Sequence, residues 1–298
     1  MPDDRLAGAR PGRDTTSEAT RLDASSPAWR PFVSPRRYEQ VASTNALLVE
    51  EARAGALEGT VLVAESQSAG RGRLGRRWLD PPGGSLLCSV LFRPRFSSED
   101  WFLAPLVVSL AARAACAEVA GVELSCKWPN DLVALPGDLK VAGVLAEAVA
   151  EGVGGAPSAL VVGIGLNCNW PDGFPPAGKE GAEIAARATS LDRLAGGPVS
   201  KKRIEAAMLA EISARWGELN GAGDSFSQLR ARLLSEYRAS CATLGQMVRV
   251  EMSGGSVSGR AVAVADDGRL VVAGERGAMA VEVGDVVHLR PSGPLAER

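Results

Sequence analysis

The chain has 298 residues, of which 46% are hydrophobic and 23% charged, and its formal net charge is −2. This length and composition predict an ordinary globular protein with one large domain and a small one. No apolar run reaches the roughly 18 to 20 residues needed to cross a bilayer, and residues 1–5 lack the basic and apolar regions of a signal peptide.

Two residue counts exclude further classes of chemistry. Five cysteines are odd in number, never spaced Cys-x-x-Cys, and placed among apolar neighbours: Cys88, Cys116, Cys126, Cys168 and Cys241. This pattern predicts reduced, buried thiols in a cytoplasmic protein and argues against structural zinc. His288 is the single histidine and is predicted to lie in a strand. An enzyme with this sequence would therefore act mainly by positioning and electrostatics.

The first third of the chain predicts a sheet with one helix and one long loop. Residues 1–28 have no period and are expected to be a disordered extension. A helix should begin with Ser43 or Thr44 as its N-cap and end at Gly55. The hydroxyl and amide groups at this helix start are equally suited to a polar ligand group. Strands are predicted at 38–42, 60–65 and 85–92, and the last two flank loop 66–84.

Loop 66–84 combines flexibility with positive charge. It contains Gly70, Gly72 and Gly75 and the arginines Arg71, Arg73, Arg76 and Arg77. Such a loop suits an anionic small molecule that carries carboxylate and phosphate. Its Gly-x-Gly-x-x-Gly spacing fits a dinucleotide fingerprint, but the Pro- and Gly-rich residues that follow cannot open the required helix, and no Walker Gly-Lys-Ser/Thr is present. A solvated basic loop remains the alternative.

The middle of the chain predicts a hairpin beside a long core helix at 100–119. Strands are expected at 123–127, 132–135 and 140–148, with the corner Trp128-Pro129-Asn130-Asp131 after the first of them. The hairpin should bring Lys140 back alongside Ala134, within roughly 10 Å of Asp131. A lysine after a turn is usually just solvated, but this position favours a functional role.

The next strand, 159–169, carries two glycines in its interior. Gly163, Gly165 and Asn167 share one face because side chains alternate along a strand. Such glycines weaken a strand unless something approaches closely, so this face could accommodate a flat apolar ring with polar edges. A bulge or tight sheet packing is the alternative. Segment 170–189 is rich in Pro and Gly and is predicted to be a second long loop.

The remainder of the chain changes character near residue 244. Helices are predicted at 200–220 and 224–239. Five short strands follow, at 247–252, 257–264, 270–273, 278–283 and 286–289, which is typical of a small β-barrel or sandwich.

These residues together resemble the biotin–protein ligases. The matching segments are Ser43-Thr44-Asn45, Gln67-Ser68-Ala69-Gly70-Arg71-Gly72-Arg73-Leu74-Gly75, Lys127-Trp128-Pro129-Asn130-Asp131-Leu132, Lys140-Val141-Ala142-Gly143-Val144-Leu145, Gly163-Ile164-Gly165-Leu166-Asn167 and Ala188-Thr189-Ser190-Leu191. Each segment alone is weak, but the ordered set, which spans about residues 38–290, is specific to that family.

The resemblance implies an α+β protein of the class II synthetase-like fold, with a mixed α/β catalytic domain and a small C-terminal β-barrel. The implied domains are a catalytic domain at 29–242, a barrel at 243–292 and a tail at 293–298. The implied activity uses ATP and Mg²⁺ to convert biotin to biotinyl-5′-AMP, and then transfers biotin to a lysine of a biotin carboxyl carrier protein. The metal is expected to be held mainly by the nucleotide phosphates.

The resemblance also implies roles for individual residues. Biotin recognition is expected from Ser43, Thr44, Asn45, Gln67, Arg71, Gly72, Arg73, Lys140, Gly163 and Gly165. Nucleotide binding is expected from Arg73, Arg76, Trp78, Asn130, Asp131, Lys140 and Asn167. The implied catalytic residues are Lys140 and Arg73, which neutralise the carboxylate and α-phosphate, and Asp131, which assists the incoming amine.

Two departures and three alternatives accompany this reading. Ala42 precedes the Ser-Thr-Asn segment where an acidic residue or glycine is common. Only about 40 residues precede the core, so the winged DNA-binding domain of regulatory members, and with it nucleic-acid binding, is not expected. The alternatives are a lipoate or octanoyl ligase or transferase of related fold, a non-catalytic biotin-binding regulator, and a nucleic-acid regulator that uses the arginine loop.

Overall fold

The computed structural model describes residues 32, 34–79, 81–150, 155–252, 255–275, 277–281 and 285–288. The chain divides into two units, Met1–Arg30 and Pro31–Arg298, and every described residue belongs to the second. The predicted extension 1–28 and tail 293–298 therefore lie outside the described residues.

A seven-stranded sheet forms the centre of the larger part. Its strands are β1 (Arg36–Val41), β2 (Val61–Gln67), β3 (Ser85–Phe92), β4 (Ser125–Lys127), β5 (Asp131–Ala134), β6 (Leu139–Ala150) and β7 (Pro157–Asn167), in the spatial order β1-β2-β3-β7-β6-β5-β4. Only β1 and β2 are parallel; the other neighbours are antiparallel. Each strand lies within about two residues of its predicted bounds, because alternating or continuous apolar residues mark it in the sequence.

The two faces of this sheet have different partners. One face packs against α2 (Leu103–Ala120), α5 (Lys201–Asn220) and α6 (Phe226–Ala239), and this interface contains the main core. The other face carries a smaller core beneath α1 (Thr44–Arg53), formed by Leu48, Val49, Ala52, Leu62, Leu91, Val149, Ala159 and Val161. Ser89 and Gly163 continue this second face beyond Leu91 and Val161, because alternate residues of a strand share a face.

The long helix passes a length-and-composition test for a membrane span. Within the described residues, Ser98–Ala120 is the one such segment, with a mean hydropathy of 1.6, and 61% of its apolar window is buried inside the protein. Arg113, which interrupts the apolar run, donates to the Leu124 carbonyl and pairs with Glu123. The packing of this segment is that of a core helix.

The C-terminal part is a second, five-stranded antiparallel sheet. Its strands are β8 (Met247–Met252), β9 (Gly255–Val264), β10 (Leu270–Gly274), β11 (Gly277–Val281) and β12 (Asp285–His288), in the order β11-β10-β9-β8-β12. Val248, Val250 and Val272 of its inner face join the main core. The mixed α/β domain followed by a small all-β domain confirms the predicted fold class.

Two local predictions are wrong. The sequence predicts a loop throughout 170–189, but the structure has α3 (Lys179–Arg187) there, with α4 (Leu191–Ala195) directly after the segment. α3 is only nine residues long and its apolar side is made mostly of alanines, with Ile184 as the single large apolar residue, so its helical period is easily missed beside the Pro- and Gly-rich residues that precede it. Lys140 pairs with Val133 rather than with Ala134, because the register shifts between Leu132 and Val133.

All five cysteines are free and buried, as the sequence predicts. Burial raises the pKa of the Cys116 and Cys168 thiols to about 12 and that of Cys126 to about 11. These side chains are therefore neutral thiols at physiological pH and act as small apolar residues of the core.

Candidate active site

The start of α1 forms the polar end of the candidate site. Ser43 is the N-cap, and its hydroxyl accepts the N–H of Ala46 at 3.4 Å, as predicted. Thr44 donates from both its backbone N–H and its hydroxyl to Oε1 of Gln67, at 2.7 and 3.1 Å. Ser43, Thr44 and Asn45 are all buried. The helix start is therefore tied to the end of β2, where the arginine loop begins.

The Asn45 side chain is held by hydrogen bonds to three residues that lie far from it in the sequence. Its Nδ2 donates to the carbonyl of Leu145 at 3.1 Å and to Oε2 of Glu147 at 2.9 Å. Its Oδ1 lies 2.6 Å from the hydroxyl of Ser89, which also lies 2.7 Å from the Thr44 hydroxyl. Ser89 is fully buried on β3. With both amide protons used, the orientation of Asn45 is determined by its partners.

Glu147 joins the arginine loop to this polar end. Its carboxylate lies 3.1 Å from Nη2 of Arg71 and also accepts from Asn45. The Glu147 side chain is 26% exposed and that of Arg71 48% exposed, so this ion pair lies at the edge of the site. Arg71 is thereby held against β6 instead of extending into solvent.

The glycines of β6 and β7 leave no room for side chains. A Cβ at Gly163 would lie 2.8 Å from Cγ of Asn45, and one at Gly165 would lie 2.5 Å from the indole of Trp78. Gly143 pairs with Gly165 across the strands, and a Cβ there would meet Nζ of Lys140 at 2.8 Å. The predicted close approach to this face is confirmed, but Asn45 and Trp78 of the chain itself make it.

The hairpin brings the predicted charged residues to one corner. Lys140 Nζ lies 2.7 Å from Oδ1 of Asp131 and 5.4 Å from the ring centroid of Trp78. Arg73 donates from Nη1 to Oδ1 of Asn130 at 3.4 Å. The side chain of Asn130 also donates to the Val144 carbonyl at 2.9 Å, which fixes the corner on β6. Arg73 and Lys140 thus lie at the same corner, although 67 residues separate them in the sequence.

One buried polar atom at this corner has no partner. Trp78 Nε1 is buried and makes no hydrogen bond among the described residues. Asp131 Oδ1 is also buried but is engaged by Lys140 Nζ at 2.7 Å, and a carboxylate oxygen can accept a second donor. Buried polar atoms without partners are uncommon, and at a site they are suited to a ligand.

Asn45, Gln67, Arg71 and Trp78 face a cavity of about 40 Å³ over the glycines. This is room for about one or two water molecules. The Trp78 indole covers Gly143 and Gly165, so a ligand that is to lie on these glycines must displace it. Trp78 lies on the loop, so movement of that loop would enlarge the cavity without disturbing the sheet.

The remaining predicted residues have other surroundings. The Gly72 N–H donates to the Arg76 carbonyl at 2.6 Å, which shapes the loop turn. Asn167 is buried and donates to the carbonyl of Thr189 at 2.9 Å, so its amide ties β7 to the segment before α4. Arg76 is exposed on the loop. Ligand roles for these three residues, as for the other predicted site residues, stay predictions.

Sequence reasoning missed Ser89, Glu147 and the floor position of Gly143. Ser89 lies in a strand that reads as uniform core, and Glu147 lies at an ordinary polar position of β6. Their link to Asn45 follows from strand pairing: Ser89 and Leu145 flank Gly163 in the sheet. Among the described residues, no three His, Cys, Asp or Glu side chains cluster in a way that could hold a metal ion.

Comparison with known families assigns both parts of the chain. Residues 38–167 match the biotin/lipoate A/B protein ligase family, and residues 243–289 match the biotin protein ligase C-terminal domain. The first match contains every predicted site residue, and the second contains all five strands of the C-terminal sheet.

Relatives extend the similarity over nearly the whole chain. The biotin–[acetyl-CoA-carboxylase] ligase of Mycobacterium tuberculosis is 35% identical over 96% of this chain and 98% of its own length. The bifunctional ligase/repressor BirA of Bacillus subtilis is 29% identical over 84% of this chain and 72% of its own. The Aquifex aeolicus biotin protein ligase, solved with biotin and ATP, superimposes with a TM-score of 0.70 at 29% identity, covering 87% of this chain and all of that one. The chain belongs to the biotin protein ligase family.

Proposed function

We propose that the protein is a biotin–protein ligase that works in two steps. In the first, a carboxylate oxygen of biotin bonds to the α-phosphorus of ATP, the bond to the β-phosphate oxygen breaks, and pyrophosphate leaves. In the second, a lysine amine of the carrier protein attacks the acyl carbon. The bond to the AMP oxygen then breaks, the nitrogen loses a proton, and AMP leaves with the electron pair.

The observation that carries this proposal is the convergence of Arg73, Lys140 and Asp131 next to a buried polar pocket. The first step brings a carboxylate against a polyphosphate, and two cations at one corner would offset that repulsion. Asp131 Oδ1, which keeps acceptor capacity, would orient the carrier ammonium and take its proton. These residues contribute charge and position, which agrees with a chain that has one histidine.

The polar pocket favours biotin over lipoate. The ureido group of biotin offers two N–H donors and a carbonyl acceptor, whereas the dithiolane ring of lipoate offers no comparable hydrogen bonds. Thr44, Asn45, Gln67 and Arg71 supply both donors and acceptors at this end of the site. A pocket built to hydrogen-bond a ligand discriminates strongly against an analogue that leaves its polar groups without partners.

Trp78 would close the site over the bound acyl group. The acyl-adenylate is a mixed anhydride that water hydrolyses, so exclusion of solvent has a direct chemical purpose. The indole lies on Gly143 and Gly165, and its buried Nε1 has no partner among the described residues. With the loop displaced by ligand, this N–H would be available to a ligand oxygen.

The residues at the corner fit Mg²⁺ only as an ion that the nucleotide carries. Asp131 is the carboxylate that meets Lys140 at this corner, and no group of three potential metal ligands occurs among the described residues. Mg²⁺ usually binds through one or two carboxylates plus substrate phosphates, which matches this arrangement. When bound, the ion neutralises phosphate charge; Arg73, Lys140 and Asp131 position the groups around it.

We also propose a cytoplasmic location, a biotin carboxyl carrier protein of a carboxylase as the acceptor, and the domain division 29–242 and 243–292. The absence of nucleic-acid and membrane partners stays a prediction. A salt-dependent DNA shift assay tests the regulator alternative.

A single-turnover assay with α-³²P-labelled ATP tests the first step. Incubation with biotin and without acceptor should yield labelled biotinyl-adenylate and unlabelled pyrophosphate. Lipoate at the same concentration should yield at least about 100-fold less labelled adenylate. Equal or faster adenylation of lipoate would contradict the proposal and favour the lipoate alternative.

A further inference from the structure

We infer that the C-terminal sheet holds the hairpin that carries Asp131 and Lys140, and that His288 on β12 is the positioning residue of this contact. The catalytic consequence rests on the proposed function, whereas the contact itself can be tested without any substrate. The inference gives the single histidine of the chain a role outside acid–base chemistry.

His288 joins two elements that lie 150 residues apart in the sequence. Its Nδ1 lies 2.6 Å from Oδ2 of Asp138, in the turn between β5 and β6. Its Nε2 lies 3.3 Å from the hydroxyl of Thr243, which accepts the backbone N–H of Trp128 at 3.0 Å. The His288 side chain is only 9% exposed, so this contact is shielded from solvent and is little weakened by it.

The polar atoms of this cluster are satisfied when the imidazole is neutral. Burial and the positive charge of Lys127 lower the pKa of His288, and Asp138 opposes this shift. In the neutral ring, Nδ1–H donates to the Asp138 carboxylate and Nε2 accepts the Thr243 hydroxyl proton. The tautomer is therefore set by its partners.

The turn that His288 contacts sets the position of Lys140. Asp138 has φ 56°, which is uncommon for a residue other than glycine, and it follows Gly137 at φ 108°. Lys140 lies two residues later, and its carbonyl accepts the N–H of Thr189 at 2.9 Å. The contact with His288 therefore fixes the Asp138 end of segment 138–140, and the hydrogen bond to Thr189 fixes the Lys140 end. The direction of the Lys140 side chain toward Asp131 depends on both attachments.

The C-terminal sheet also holds the other arm of the hairpin. The indole Nε1 of Trp128 donates to the carbonyl of Gly268 at 3.0 Å, in the turn between β9 and β10. Trp128 begins the corner that contains Asn130 and Asp131. The C-terminal part therefore contacts the arm that carries Asp131 through Gly268 and through Thr243, which lies just before β8, and contacts the turn before Lys140 through His288. The two catalytic side chains are held relative to each other by a domain that supplies no predicted ligand group.

Two substitutions of the same residue separate the two contacts. In His288→Asn the amide nitrogen occupies the place of Nδ1 and keeps the donor to Asp138, whereas His288→Gln places its amide near Nε2 and loses that donor. Asp266→Asn is the matched control, because it removes an ion pair between Arg238 of α6 and the same C-terminal sheet without touching the hairpin. Thermal unfolding of all three variants measures general destabilisation.

The first readout is hydrogen exchange of the amides at 139–143 in the ligand-free protein. We expect about tenfold faster exchange in His288→Gln than in wild type, from the loss of one hydrogen bond to a carboxylate. His288→Asn and Asp266→Asn should match wild type. Unchanged exchange at 139–143 in His288→Gln overturns the inference, whatever the activity of the protein.

The second readout is single-turnover formation of biotinyl-adenylate. His288→Gln should lower its rate constant by a similar factor with little change in the KM for biotin, and His288→Asn should restore it. If His288→Gln shows faster hydrogen exchange but an unchanged rate constant of adenylate formation, the contact does not influence catalysis. A wild-type protein that forms no adenylate refutes the proposed function instead, and the exchange comparison still decides the contact.

Discussion

Gly163 is the position where one added methyl group should disturb the polar end of the site most. A Cβ there would lie 2.8 Å from Cγ and 3.2 Å from Nδ2 of Asn45, and closer still to its Oδ1. Gly163 pairs with Ser89 on one side and Leu145 on the other, so the backbone of β7 cannot move away. In Gly163→Ala, Asn45 must therefore leave its place.

The displacement removes three interactions of Asn45. They are the hydrogen bonds to Ser89 at 2.6 Å, to the Leu145 carbonyl at 3.1 Å and to Glu147 at 2.9 Å. Each of the first two contributes about 1 kcal/mol, and the bond to the carboxylate contributes about 2 kcal/mol. Because Asn45 can regain water contacts, we expect the free energy of unfolding to fall by about 2 to 4 kcal/mol. A displaced Asn45 also cannot present its amide to the ligand, and the loss of one or two ligand hydrogen bonds worth about 3 kcal/mol would raise the biotin Kd about 100-fold.

Isothermal titration with biotin and urea unfolding measure these two quantities. Gly217→Ala is the matched control, since Gly217 is exposed on α5 and a Cβ there would meet nothing within 4 Å. The Gly217→Ala variant should leave the biotin Kd unchanged and raise the free energy of unfolding by up to about 1 kcal/mol, because alanine favours a helix more than glycine does. A Kd for Gly163→Ala within about threefold of wild type would refute a role for Asn45 in biotin recognition.

Four further results are expected. Lys140→Ala and Arg73→Ala should each slow adenylate formation by about 100-fold in single-turnover assays, through loss of cations next to developing negative charge; unchanged rates in both variants contradict the mechanism. Ser89→Ala should raise the biotin Kd about tenfold in titrations by releasing Asn45, and a wild-type Kd would reduce Ser89 to a packing residue. A thiol reagent at pH 8 should label none of the five buried cysteines until the protein unfolds, because burial holds the pKa of Cys116 and Cys168 near 12; rapid labelling of the native protein contradicts this. The folded state lowers the pKa of His288 below 6.5, so unfolded chains take up the proton first, and the free energy of unfolding should fall as the pH drops below about 6.5. The His288→Asn variant should lack this part of the pH dependence when its free energy of unfolding is measured with urea. Identical pH profiles for wild type and His288→Asn would rule out the contribution of His288.

The strands were predictable because each one carries its own local pattern. β3 reads Ser-Leu-Leu-Cys-Ser-Val-Leu-Phe and is bounded by glycines and prolines, so its limits are visible without any tertiary information. The helix α3 carries a weaker signal. Its charged residues do share one face, but the helix has nine residues, its opposite face is mostly alanine, and its N-cap, Gly178, has no side chain to signal a start.

The site was predictable where the residue type itself carries the chemistry. The arginine loop and the Lys140 hairpin are charged in otherwise apolar surroundings, and the glycines of β7 indicate close approach. Ser89 and Glu147 could not be identified, because their importance arises from cross-strand pairing with Gly163 and Leu145. The occupant of the glycine face also depends on tertiary contacts: the sequence gives no sign that Trp78 folds back onto Gly165.

Mass spectrometry of a biotin carrier domain tests the central claim most directly. After incubation with this protein, biotin and MgATP, the carrier should gain the mass of one biotinyl group on a single lysine. The gain should be about 100-fold slower with Lys140→Ala and absent without ATP. A carrier that an established biotin ligase modifies, but that stays unmodified with this protein, would contradict the account.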